Sequence, residues 1–256
     1  MEVTYSSLKG KAFVVTGAAS GMGRAIALRL AEQGSNVGLL DVKKPTEVQE
    51  TISKMEGGAS SVALAVDVTK ASEVDAAIKA VHDKFGRLDG AANMAGIVGN
   101  RKMGDTGYAV ESITDEDWDA VMKVNLDGVK NSMRAELQLM SDSGSIVNAA
   151  SMSGQQPNPW RAHYGTSKWA VIGLTKAAAG EVGGKGIRVN AVAPGIVKTP
   201  LTETLGQEAM ANLFSSRISL GRLAEPDEVA KVVVFLLSDV PGYVTGSVVN
   251  VDGGWL

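Results

Sequence analysis

The stretch Thr16-Gly17-Ala18-Ala19-Ser20-Gly21-Met22-Gly23 decides how this chain reads. It follows the apolar, β-branched run Ala-Phe-Val-Val-Thr at residues 12–16 and leads into a helical pattern. A glycine-rich turn between a strand and a helix aims backbone N–H groups and the positive end of the helix at one point, where a pyrophosphate can sit. Glycine omits the Cβ that would block a tight turn and a ligand's approach. The spacing is Gly-x-x-x-Gly-x-Gly rather than the commoner Gly-x-Gly-x-x-Gly.

Outward from this turn, strand-like runs recur at residues 37–40, 61–66, 88–92, 145–148, 187–192 and 247–251. Several are nearly continuous in apolar residues, as strands covered on both faces are. Helical patterns separate them: Val74, Ala77, Ile78, Val81 and Phe85 share one face, as do Val229, Val232, Val233, Leu236 and Leu237. Glu225-Pro226-Asp227-Glu228 has the proline and acids that favour a first helical turn. This alternation predicts an α/β fold, a doubly wound parallel sheet of about seven strands with helices on both faces. No linker, repeat or low-complexity tract divides residues 1–256, so one domain is expected. Two segments break the rhythm. Residues 98–108 are polar and glycine-rich, and residues 199–223 carry Leu201, Leu205, Met210, Leu213, Phe214 and Ile218, as a substrate lid would.

Composition narrows the chemistry. The 256 residues include 30 glycines, two histidines and no cysteine, and the formal charge is −3. Disulfides and thiolate zinc are excluded, and two histidines do not make a histidine metal cluster. The charge balance argues against nucleic acid. The longest apolar run, residues 232–237, is far short of the roughly 18 residues of a membrane span. The opening Met-Glu-Val-Thr-Tyr-Ser has no basic region leading into an apolar stretch, so a cytoplasmic protein is expected.

Asp41 closes the second strand run, 18 residues after Gly23, where a carboxylate can accept hydrogen bonds from an adenosine ribose. A carboxylate there repels a 2′-phosphate, so NAD is expected over NADP; Lys43 and Lys44 would soften the repulsion. Asp67 and Val68, after the third strand, are placed to meet the adenine. Further on, Tyr164 and Lys168 stand four apart in a helical stretch and share a face. A phenol of pKa near 10 is a poor base at neutral pH, and a neighbouring ammonium lowers that value.

Taken together, Thr16-Gly17-x-x-x-Gly21-x-Gly23, Asp67-Val68, Asn93-Met94-Ala95-Gly96, Val-Asn125-Leu, Ser151, Tyr164-x-x-x-Lys168 and Pro194-Gly195 resemble the short-chain dehydrogenase/reductase family, in its order and spacing. The resemblance spans almost the whole chain and implies a single-domain Rossmann fold. It implies that Tyr164 is the general acid/base and that Lys168 lowers its pKa and binds the nicotinamide ribose. Ser151 would orient the substrate oxygen, and Asn125 would hold a water linking Lys168 to solvent. Gly17, Ser20, Gly21, Met22 and Gly23 would wrap the pyrophosphate. Asn93, Ala95 and Gly96 would pass beside the ribose, and Pro194, Gly195, Ile196 and Thr199 would face the nicotinamide.

Two departures stand out: Met94 occupies a position where the family commonly has Asn, and the connection 96–118 is longer than usual. Ser153 is a candidate substrate contact, and Met152 and Trp160 are candidate walls of an apolar pocket. The expected activity is an NAD-dependent oxidation of a mostly apolar secondary alcohol, or reduction of the ketone, with no metal. One alternative is an NADPH-dependent reductase of acyl, polyketide-like or other secondary-metabolite ketones. A further one is a catalytically idle nucleotide-binding interaction protein. The resemblance implies a homotetramer, with a dimer as second choice.

Overall fold

A computed structural model describes residues 4–99, 108–202 and 217–255. The strands are β1 (Ala12–Thr16), β2 (Asn36–Asp41), β3 (Ser61–Ala65), β4 (Gly90–Asn93), β5 (Ser145–Ala149), β6 (Arg188–Pro194) and β7 (Val248–Val251). They form a single sheet in the order β3-β2-β1-β4-β5-β6-β7, with every adjacent pair parallel. The seven expected runs are these seven strands, with ends shifted by at most two residues. The helices among the described residues are α1 (Gly21–Glu32), α2 (Thr46–Ser53), α3 (Ala71–Phe85), α4 (Asp115–Met122), α5 (Gly128–Leu139), α6 (Ala162–Val182) and α7 (Pro226–Leu237).

Strand period sorts the core into two layers. Phe13 and Val15 of β1 face α1, α2 and α7, where Ile26, Leu30, Val48, Val233 and Leu237 are buried. Val14, between them, faces α3, α5 and α6 with Val74, Ile78, Val129, Met133 and Val171. α7 starts as its sequence predicts: Glu225 and Glu228 form a reciprocal capping box, with Pro226 in the first turn. Between α4 and α5 the helix widens into a π-turn over Lys123–Asp127. An inserted residue of this kind re-aims a side chain, commonly at a functional site. Here the residue at its centre is Asn125.

The order runs β3-β2-β1 one way from the centre and β4-β5-β6-β7 the other, so the winding reverses between β1 and β4. Thr16 is paired with Leu40 on one side and Asn93 on the other, and Asn93 with Asn148. The carboxyl ends of these strands therefore finish level, and the loops leaving them diverge to opposite faces. A crevice at such a reversal is where open α/β sheets bind ligands.

Candidate functional site

At that crevice lies a cavity of about 520 Å³ lined by Gly17, Ser20, Gly21, Met22, Gly23, Asp41, Asp67, Val68, Ala95, Gly96 and Thr199, all expected cofactor contacts. Val42, Val66, Met94, Ile97 and Leu201 complete much of the wall. A second cavity of about 100 Å³ is lined by Ser151, Met152, Ser153, Arg161, Tyr164, Pro194, Gly195 and Ile196. Met22, Thr199 and Leu201 line both, so the two are one continuous cleft.

The glycine turn has the form a pyrophosphate needs. Gly17 sits at φ +69, and a Cβ there would come within 2.9 Å of the Ala95 nitrogen. At Gly23 a Cβ would meet the Gly17 carbonyl oxygen at 2.1 Å, so helix and turn close together only without it. Ser20 caps α1 without any side-chain hydrogen bond to it, and no acidic residue occupies the first turn. The first-turn N–H groups are thus left to a ligand anion. Thr16 Oγ1 fixes the opposite wall by accepting from the N–H groups of Met94 (3.1 Å) and Ala95 (3.3 Å). Met94 is itself buried against the core, which accounts for the departure at this position.

The two carboxylates of this cleft are engaged locally. Asp41 Oδ2 accepts from the Ala19 N–H at 3.0 Å and Oδ1 from the Lys43 N–H at 3.2 Å. Asp67 Oδ1 accepts from the Thr69 N–H (3.0 Å) and hydroxyl (2.7 Å), and Thr69 holds its carboxyl below the usual range.

Asn93 does not reach the cleft with its side chain. It is buried, and its Nδ2 donates to Glu136 Oε2 (3.1 Å) and Asn148 Oδ1 (3.0 Å). Gly195 lines the small cavity, and it is also close to the C-terminal segment, where a Cβ would fall 2.9 Å from the Asp252 Cα. Trp160 is about half exposed and does not line the pocket. Of the expected lid, Leu205, Met210, Leu213 and Phe214 lie outside the described residues, as do residues 100–107 of the other long segment.

Ser151, Tyr164 and Lys168 come together at the small cavity. The Ser151 hydroxyl accepts the Ser153 N–H at 3.1 Å and hydrogen-bonds Tyr164. Lys168 Nζ lies 5.7 Å from the Tyr164 ring centroid and donates to the Ala149 carbonyl at 2.8 Å. Burial dominates the electrostatics. It raises the Tyr164 phenol above its ordinary value, against opposing pulls from Ser151 and the Arg161 charge, and takes Lys168 down to about 8. The lowering of Tyr164 expected from Lys168 is corrected accordingly: the ammonium is turned to a backbone carbonyl, and the charge that acts on the phenol is Arg161.

Asn125 clamps the wall between the two cavities. Its Oδ1 accepts from the Ile97 N–H (2.8 Å), and its Nδ2 donates to the Ile97 carbonyl (2.9 Å) and to Ser167 Oγ (3.1 Å). Arg161 and Ser167 were not among the expected site residues. Arg161 sits three before Tyr164, one helical turn away, and that spacing was the available signal. Among the described residues no group of three or more metal-ligating side chains occurs, and no helix is long and apolar enough to cross a membrane.

Comparison with known proteins places these features. Residues 17–256 match the family model described as enoyl-(acyl carrier protein) reductase. The chain is 41% identical over 250 residues to 3-oxoacyl-[acyl-carrier-protein] reductase FabG of Thermotoga maritima, covering 96% of this chain and 98% of that one. It is also 41% identical over 252 residues to the short-chain dehydrogenase/reductase aba4 of Botryotinia fuckeliana, covering 96% of each. Among solved structures, levodione reductase superposes with a TM-score of 0.89 at 34% identity, over 96% of this chain and 97% of that one. A short-chain dehydrogenase from Burkholderia cenocepacia in complex with NADP gives 0.88 at 30% identity, over 97% and 98%. The NADP of that complex and the FabG relatives overturn the expectation of NAD. Lys43 and Lys44 are exposed just beyond Asp41, where they offer positive charge to a 2′-phosphate. By its sheet order, its glycine turn and its full-length relatives, the chain is an oxidoreductase of the short-chain dehydrogenase/reductase family.

Proposed function

We propose that this protein is an NADPH-dependent reductase that converts a ketone on an acyl-type or related small molecule to a secondary alcohol. The observation that carries the reading is the placement of the Tyr164 phenol beside the Ser151 hydroxyl on the wall of the small cavity, which opens into the large one, in a chain whose full-length relatives include a 3-oxoacyl reductase. Reduction of a ketone needs a proton donor at the oxygen, and a neutral phenol is one. The relatives named as 3-oxoacyl and levodione reductases support the same direction.

NADPH, when bound, would be held across the large cavity and would supply the hydride for the carbonyl carbon. The remaining work belongs to the chain. Tyr164 gives its proton to the developing alkoxide, and the Ser151 hydroxyl donates a second hydrogen bond to the same oxygen, stabilising charge where it forms. Lys168 lies next to Gly96, where a Cβ would be 3.5 Å from Nζ, and there it holds the nicotinamide ribose. Asn125 fixes the Ile97 backbone and so the wall behind that ribose; the water relay to Lys168 is proposed at this same π-turn. Gly17, Ser20, Gly21, Met22 and Gly23 hold the pyrophosphate. Asp67 and Val68 flank the adenine, Ala95 and Gly96 with the Asn93 backbone pass the ribose, and Pro194, Gly195, Ile196 and Thr199 face the nicotinamide.

A cytoplasmic homotetramer follows from the same family reading. The test of the activity is loss of NADPH on mixing the protein with a 3-oxoacyl thioester, a cyclic diketone and simple 3-oxo acids. Turnover of at least one is expected; turnover of none would remove the reading.

A further inference from the structure

We infer that the substrate carries a negatively charged group, a carboxylate by preference, beside its reacting carbonyl, and that Arg161 is the residue that selects it. The inference rests on the reductase reading above and names the substrate class of that site.

The cavity that holds Ser151 and Tyr164 is lined by Met152, Ile196 and Leu201 on its apolar side, with no aspartate or glutamate among the described residues of its wall. Arg161 is its one charged side chain among the described residues. No hydrogen bond or ion pair ties the guanidinium to the described residues, whereas Arg29 pairs with Asp227, Arg87 with Asp89, Arg134 with Asp75 and Arg222 with Glu228. The side chain is nevertheless half-buried. A guanidinium held out of water without a partner is unfavourable, and a bidentate carboxylate satisfies it with two parallel hydrogen bonds. Burial lowers its pKa, as desolvation of an unpaired cation does.

Position selects among anions. Arg161 precedes Tyr164 by one turn at the start of α6, and its charge is felt by the phenol. An anion bound to it therefore lies within a few atoms of the carbonyl that Tyr164 protonates. A cavity of about 100 Å³ admits only a short group there. A 3-oxo acid fits this spacing, with a neutral amide or ester of the same acid as the natural control. The chain enters α6 through Trp160 at φ +63, a conformation a bulky residue rarely adopts, directly before Arg161.

The experiment pairs probes that differ only in charge. Binding of butanoate and butanamide to the protein saturated with NADPH is measured by calorimetry, and turnover of acetoacetate and acetoacetamide by NADPH loss. Butanoate is expected to bind roughly 30-fold or more tightly than butanamide. Arg161→Met should erase that preference and Arg161→Lys should restore part of it. Equal binding of the two probes by the wild-type protein overturns the inference. So does an Arg161→Met variant that weakens both alike and shifts the pH profile of acetoacetamide turnover, because Arg161 would then act only on Tyr164. Persistence of the butanoate preference without turnover of either ketone would instead overturn the reductase reading and leave the anion site standing.

Discussion

Tyr164→Phe is expected to lower kcat by roughly 10² to 10⁴-fold, the usual range for losing a general acid. Affinity for NADPH should stay within a few-fold of wild type. The separation follows from where the groups lie. The phenol borders the small cavity with Ser151, whereas the pyrophosphate turn and most of the large cavity do not involve it. Phenylalanine keeps the ring over which Lys168 Nζ lies at 5.7 Å, so the packing of α6 is preserved. Only the proton and the hydrogen bond to Ser151 are lost. Steady-state turnover together with NADPH titration followed by nucleotide fluorescence checks both halves. Turnover near wild type would remove Tyr164 from the mechanism, and lost NADPH affinity would show that the ring holds the nucleotide.

Glu136→Gln should stabilise the protein, increasingly so toward pH 8. Glu136 is fully buried on α5, where burial lifts its carboxyl to about 8 despite a hydrogen bond from Asn93. Unfolded, the carboxyl titrates near its ordinary 4.5. Between these values the folded chain keeps a proton that the unfolded chain has released, so stability falls as pH rises from about 4.5 to about 8 and levels off above. Carrying a carboxyl across that interval amounts to a penalty on the order of 5 kcal/mol. Glutamine removes the titration and still offers an oxygen to Asn93 Nδ2. It also adds an N–H to a network in which Asn93 Oδ1 and Glu136 Oε1 both lack a partner. Thermal unfolding of both proteins from pH 5 to 9 reads the result: the curves should diverge by several degrees with rising pH. Parallel curves would mean that Glu136 is not titrating in that range.

Much of this was readable in the chain itself. β-branched runs bounded by glycine or aspartate mark buried parallel strands because both faces must be apolar, and all seven appear in the sheet. The glycine turn was readable for a similar reason, since steric exclusion at Gly17 and Gly23 admits no other residue cheaply. The side chains whose direction depends on tertiary contacts were not readable. Asn93 stands in the right motif yet turns inward to Glu136 and Asn148. Asp41 ends the right strand and accepts from the Ala19 and Lys43 N–H groups, contacts that the sequence does not show. The π-turn that aims Asn125 at Ile97 leaves no trace in a 3.6-residue period, because a single inserted residue only shifts the phase. Arg161 went unremarked because an arginine in sequence is ordinary; that no acid among the described residues shares its cavity wall is visible only in three dimensions.

The central claim is that this protein moves a hydride from NADPH to a ketone. It is tested most directly by offering a reducible 3-oxo acid or thioester with NADPH deuterated at the transferred position and an equal concentration of unlabelled NADH. Mass analysis of the alcohol reads the donor. The account predicts an alcohol carrying deuterium at the carbinol carbon in about tenfold or greater excess over unlabelled product, a preference of about 1.4 kcal/mol or more. Mainly unlabelled alcohol would contradict the cofactor assignment, and no alcohol from any of the ketones would contradict the reductase itself.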